Sequence, residues 1–136
     1  MKEITSQELS EYGICTAHHV MDNGERRFRL IGADGSAYIR TEATECSGWQ
    51  NSHLHRALRE LYFVSSGFIR MAVLRDGRVE IQTLTAGETF LTEPGVAHNC
   101  YMGPNAVTHT VKFGAPGEAD WIAAPELDAL LKEMDI

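Results

Sequence analysis

The chain has no apolar run near the ~18 residues that a membrane-spanning helix needs, no basic cluster, and only three cysteines among 136 residues. Each lack excludes something. No transmembrane helix is expected. Residues Met1 to Gly13 are polar and acidic with no apolar stretch, which argues against a secretory signal. A net charge of −7 without a basic patch argues against nucleic acid and against anionic membrane surfaces. Cys15, Cys46 and Cys100 are odd in number and show no C-x-x-C spacing, so they read as reduced thiols of a cytoplasmic protein and not as a disulfide framework. Internal repeats, low-complexity tracts and linkers are also missing. Residues 1–136 therefore read as one domain, long enough for a single core.

What is present is a succession of short strands. A hydrophobic share of 43% against 23% charged residues suits an ordinary globule. Strands are expected over Cys15–Val20, Arg26–Ile31, Tyr38–Ala43, Gly48–His55, Glu60–Ser65, Phe68–Leu74, Arg78–Leu84, Thr89–Thr92, Ala97–Met102 and Ala106–Phe113. Met1–Glu11 is expected to form a short helix or arm. Turn chemistry separates the strands: Ala33-Asp34-Gly35, Ser66-Gly67, the hairpin signal Asp76-Gly77, and Gly103-Pro104-Asn105. This rhythm predicts an all-β sandwich or barrel. Near the end, Leu127, Leu130, Leu131 and Met134 form one helical stripe, with Pro125 in the first turn and Glu126 and Asp128 at the positive end of the dipole. A C-terminal α-helix over about 125–135 follows.

One constellation carries chemistry. His53-Leu54-His55 is followed by Glu60, and much later by His98 after the Pro94-Gly95 turn signal. On a strand, residues i and i+2 share a face, so His53 and His55 can aim two imidazoles at one point. A tight connection over 56–59 is expected to return Glu60 on the neighbouring strand. Three neutral imidazoles and one carboxylate suit one divalent transition metal such as iron, manganese, nickel or zinc, and not calcium or magnesium.

These residues resemble the two motifs of the cupin superfamily. Gly48, His53-Leu54-His55, Glu60 and Gly67 follow the spacing of the first, and Gly87, Gly95 and His98 that of the second. Glu93 stands where the family has proline and Met102 where it has asparagine. The matched stretch runs from about Gly48 to His98. The resemblance implies a small single-domain metal-binding cupin: a double-stranded β-helix, or jelly-roll barrel, with its core over about 38–113. It also implies His53, His55, Glu60 and His98 as metal ligands.

Strand parity extends the site. From Glu60 it places Tyr62 inward, from His98 it places Cys100 inward, and from His53 and His55 it places Asn51 and Trp49 on the same face. In the last strand Val107, His109, Val111 and Phe113 share a face, and the apolar majority assigns that face to the core. His109 is thereby the first candidate for a catalytic acid or base, or else a hydrogen-bonded core histidine, and Tyr62 the second candidate. Trp49, Asn51 and Cys100 would line the pocket. Cys100 is equally a small buried hydrophobe.

Three function classes are open. A metalloenzyme would use the coordination positions that three histidines and one glutamate leave free. Cupins that resemble this chain include isomerases and epimerases of sugars, dioxygenases and decarboxylases, which points to a small polar organic substrate such as a sugar or a hydroxy or keto acid. Arg40, Arg56, Arg59 and Arg70 are available for one anion contact. The alternatives are a non-enzymatic small-molecule binder or sensor and a structural protein with a vestigial site. Small cupin barrels generally pair, so a homodimer is expected, with the N-terminal strands or the Leu127–Met134 helix at the interface.

Overall fold

The computed structural model describes residues 1–46, 48–114 and 120–134. The elements run α1 (Ser6–Glu11), β1 (Cys15–Val20), β2 (Arg26–Ile31), β3 (Ala37–Glu42), β4 (Gly48–Trp49), β5 (His53–Leu54), β6 (Arg59–Ser66), β7 (Phe68–Arg75), β8 (Arg78–Thr85), β9 (Thr89–Leu91), β10 (Ala97–Met102), β11 (Val107–Phe113), β12 (Ile122–Ala123) and α2 (Pro125–Glu133). Residue 135, the last of the expected helix, lies outside the described residues.

Two antiparallel sheets face one another. The first has the order β1-β2-β3-β11-β6-β9; the second has the order β12-β5-β10-β7-β8, with β4 also on β10. Local chemistry sets the corners. Asp76 and Gly77 both take positive φ, 52° and 74°, as a two-residue hairpin of primed type requires, and β7 pairs with β8 from Phe68↔Thr85 to Arg75↔Arg78. Gly67 also has positive φ, and a Cβ there would stand 2.9 Å from Ala106 Cα, so the β6–β7 corner accepts only glycine without a shift.

Between the sheets, Val64, Ile69, Met71, Leu84, Met102 and Ala106 pack with Tyr62 and Cys100 into a sealed floor. A second cluster lies on the outer side of the second sheet, where α2 lays Leu127 and Leu131 onto Ala72 and Ala97, flanked by Trp49 and Leu54. The helical stripe is thus used within the chain. Asp128 of α2 accepts a hydrogen bond from the Ser52 backbone N–H at 3.0 Å and so fixes the segment that leads into β5.

Two sequence expectations change here. The strand expected over Gly48–His55 is broken into β4 and β5. Asn99 causes the break: its side-chain amide donates to the Gln50 carbonyl at 2.9 Å and to Ser52 Oγ at 3.0 Å, filling the place of ladder bonds. Glu60 does not return on a strand paired with β5, because β5 lies in the second sheet and β6 in the first. The 56–58 turn crosses the barrel, so the histidines and the glutamate face one another from opposite walls.

Candidate metal centre

The ligand atoms of His53, His55, Glu60 and His98 all lie within 4.8 Å of one another. His53 and His55 come from β5 and its C-terminal end, His98 from β10 in register with His53, and Glu60 from β6 across the barrel. Each imidazole presents Nε2 to the same oxygen, Glu60 Oε1, at 3.3 Å from His53, 2.5 Å from His55 and 3.1 Å from His98. Glu60, His55 and His98 are buried at 2%, 3% and 1% exposure, so water does not relieve the crowding.

The opposite ring nitrogens decide what this convergence means. His53 Nδ1 faces the Asn51 carbonyl at 2.9 Å, His98 Nδ1 faces the Val96 carbonyl at 3.2 Å, and His55 Nδ1 faces the Asp120 carbonyl. A carbonyl oxygen only accepts, so each Nδ1 carries the proton and donates. In neutral imidazoles this leaves three Nε2 lone pairs directed at a carboxylate, which is also only an acceptor. Such a cluster needs a cation at its focus, and backbone-oriented imidazoles are how proteins commonly present histidine to a metal. The donor set fits a divalent transition ion.

The acid–base balance agrees. Burial disfavours an ionised Glu60, but its contacts with the His53, His55 and His98 imidazoles, helped by Lys112, hold its carboxyl well below the usual range. Burial likewise works against a charged His55, yet its bonds to the Glu60 carboxylate and the Asp120 carbonyl outweigh that and raise its pKa. A proton on His55 Nε2 would therefore compete with a metal for the same place.

The chain near residue 120 braces the site. Asp120 accepts three backbone hydrogen bonds, from Arg56 at 2.7 Å, Ala57 at 2.9 Å and Leu58 at 2.9 Å, and these lower its pKa to about 2. One residue later the Trp121 ring stacks on His53, with centroids 5.4 Å apart and planes 22° from parallel. Neither residue was legible from motif spacing, since they meet the ligands only through the fold.

A cavity of about 90 Å³ opens beside the cluster. Its walls are His53, Glu60 and Trp121, then Tyr62, Thr108, Thr110 and Lys112 on neighbouring strands, then Arg27, Thr41 and Gln50. Tyr62 Oη donates to Glu60 Oε2 at 3.3 Å; burial and the Glu60 charge push its pKa up, so it keeps its proton.

Four of the expected pocket residues lie elsewhere. His109 points out of the barrel: its Nδ1 meets Tyr38 Oη at 2.5 Å and its ring stacks on Tyr38 at 5.8 Å. The inward side chains of β11 are Thr108, Thr110 and Lys112. Apolar majority misled because the inner wall is polar where it lines a cavity, while the outer face keeps Val111 and Phe113 about two-fifths exposed. Trp49 packs edge-on against Tyr101 at 5.3 Å on the α2 side of the second sheet. Asn51 is exposed and contributes only its carbonyl. The break over residues 50–52 shifts the alternation, so Gln50 and not Asn51 reaches the cavity. Cys100 does face inward, but it sits in the floor with Sγ 3.7 Å from Met102 Sδ, and burial pushes its thiol pKa up. Of the arginines expected to meet an anion, Arg40 pairs with Glu42 at 3.0 Å and Arg70 stacks over Phe68 and Tyr101; Arg27 takes the place at the cavity.

Two facing antiparallel sheets with a histidine–glutamate cluster between them make the fold a double-stranded β-helix. No protein-family model and no curated protein matches the chain. Among solved structures it is similar to a double-stranded β-helix protein from Klebsiella pneumoniae, with 21% identity, TM-score 0.62, and coverage of 91% of this chain and 98% of that one. It is also similar to oxalate decarboxylase from Bacillus subtilis, with 12% identity, TM-score 0.65, and coverage of 88% of this chain. The chain spans only about a third of that enzyme's length, 35%. KdgF from Halomonas sp. shows 14% identity and TM-score 0.59 over 75% of this chain and 87% of that one. At these identities the likeness is one of fold.

Proposed function

We propose that residues 1–136 act as one metal-dependent cupin enzyme. Its substrate would be a small polar organic molecule, a sugar or a hydroxy or keto acid, transformed by isomerisation, decarboxylation or dioxygenation. The observation that carries this reading is the acceptor-only convergence of three Nε2 atoms on Glu60 Oε1 at the wall of a cavity. Support also comes from the neighbours in fold: an oxalate decarboxylase for which Mn(II) centres are described, and an oxalate oxidase. His53, His55, Glu60 and His98 would hold the ion, which when bound supplies positive charge to a substrate oxygen. Tyr62 is the group best placed to hold a proton beside that oxygen. Trp121 stacks on His53 and so would help hold that imidazole in place.

Metal analysis of untagged protein tests the reading. About one equivalent of iron, manganese, nickel or zinc is expected, and His98→Ala should lose it. Iron directs the activity search to dioxygen chemistry, the others to isomerisation or decarboxylation. A wild-type protein that binds none of the four ions sinks the proposal.

Assembly belongs to the same reading. We infer a twofold homodimer in the cytoplasm, formed through the outer face of the first sheet. That face carries Phe28, Leu30, Tyr38, Phe63, Leu91, Val111 and Phe113, each 37–47% exposed, and such a patch is more than an ordinary monomer surface leaves open. Half of the α2 stripe is used on its own barrel, with Leu127 and Leu131 at 0% and 4% exposure, whereas Met134 stays 39% exposed, so the N-terminal strands offer the broader apolar surface for the contact.

A further inference from the structure

Two cations at the cavity have no part in holding a metal. Arg27 lies on β2 and Lys112 on β11, both on the inner wall of the first sheet. Lys112 stands directly across from Glu60 in the β11–β6 register, yet its ammonium makes no ion pair or hydrogen bond among the described residues. Arg27 is aimed by a buried carboxylate: its Nη2 is 3.2 Å from Glu25 Oε1, and Glu25 is only 3% exposed. Glu25 is in turn held by Asn23 Nδ2 at 2.8 Å and by Gln50 Nε2 at 2.8 Å. The Arg27 Nε is buried with no hydrogen-bond partner among the described residues. A buried donor of this kind costs free energy until something accepts from it.

We propose that Arg27 and Lys112 make this cavity a receptor for a short carboxylate, with the acid group against the two cations and the rest of the molecule toward the histidine–glutamate cluster. This rests on the metal-centre reading above and adds to it the charge and size of the ligand. Charge arithmetic supports an anion. Arg27 and Lys112 balance Glu25 and Glu60, so the metal-free cavity is close to neutral; a divalent ion brings it to +2, which a small anion offsets. Size supports a short one. The cavity, about 90 Å³, is well below the ~300 Å³ at the lower end of drug-sized ligand pockets. The inward lysine and arginine are donors only and both charged, and such a pair favours a carboxylate over a neutral molecule of the same size.

Lactate and its neutral counterpart lactamide test the charge directly, with glycolate and malonate as further carboxylates. Binding is measured by calorimetry on protein with its metal content determined. Lactate is expected to bind metal-loaded wild-type protein about tenfold or more tightly than lactamide, the scale of one hydrogen bond to a charged group. Lys112→Met and Arg27→Gln should each remove most of that preference while leaving metal content unchanged. Lys112→Met is the safer variant, because Arg27→Gln leaves Glu25 buried without its partner. Equal affinity for lactate and lactamide overturns the proposal, as does a preference that survives both substitutions or the failure of all three carboxylates to bind. If the wild-type protein takes up no metal, the enzyme reading fails instead, and the two failures are told apart by the metal assay alone.

Discussion

A histidine in this protein has its role set by what lies behind it. Backbone carbonyls fix His53, His55 and His98 with Nε2 forward, whereas His109 is fixed facing away by Tyr38. His98→Ala should therefore abolish metal uptake, measured by elemental analysis. His109→Gln should leave metal content and turnover unchanged, because its nearest ionisable neighbour is on the outer face. A loss of about 10²-fold in turnover, the usual scale for removing a general acid or base, would return His109 to the mechanism. Acidity should oppose the metal. The pKa of His55 is raised, so protons compete for Nε2 from above the ordinary histidine value of about 6.5, and apparent metal affinity should fall as pH drops through that range. Asp120 acts in a lower window. Its folded pKa, about 2, lies below the ordinary value near 3.9, so its contribution is complete above pH ~4 and is lost as pH falls through about 2. Asp120→Asn should flatten the acid limb of the melting curve between those values. The four residues that converge at the candidate metal centre were legible from sequence because motif spacing names them one by one. Asp120, Trp121, Arg27 and Lys112 were not, since nothing in linear spacing marks a residue that meets the site only after the sheets close.

Elements were legible where turn chemistry bounded them. The β7–β8 hairpin follows from Asp76-Gly77, and α2 follows from Pro125 and the Leu127–Leu131 stripe. Failure came where one rule, alternation, was carried across an interruption or across a reversal of polarity. At residues 50–52 the Asn99 side chain replaces ladder bonds and shifts the phase, which moved Trp49 and Asn51 out of the site. On β11 the wet wall is inside and the greasy one outside, so counting apolar residues selected the wrong face. Packing predictions at this level are direct. Leu127→Ala removes a fully buried side chain from α2, which covers the second sheet, and should cost about 2–5 kcal/mol in denaturant unfolding. Metal content should be little changed at temperatures where the variant stays folded.

At the scale of the whole molecule, the outer face of the first sheet is the unfinished surface. Phe28, Arg40, His109 and Phe63 stand side by side across four strands, and Leu30, Tyr38, Val111, Leu61 and Leu91 form the next row across five. Light scattering at micromolar concentration should give twice the chain mass of 15.1 kDa, and Phe63→Glu should give the single mass without loss of bound metal. A wild-type monomer would show that these rows are tolerated by water.

The bond from His55 Nδ1 to the Asp120 carbonyl spans 65 positions of sequence. It gives the centre a place in time as well as in space. Synthesis runs from the N-terminus, so residue 120 is made after all four residues of the candidate site. Until that residue docks, His55 has nothing to fix its ring and the 56–58 turn has no carboxylate to hold it. The four side chains are therefore expected to reach their final arrangement only once residue 120 has docked, so uptake of an ion should follow closure of the fold and not lead it.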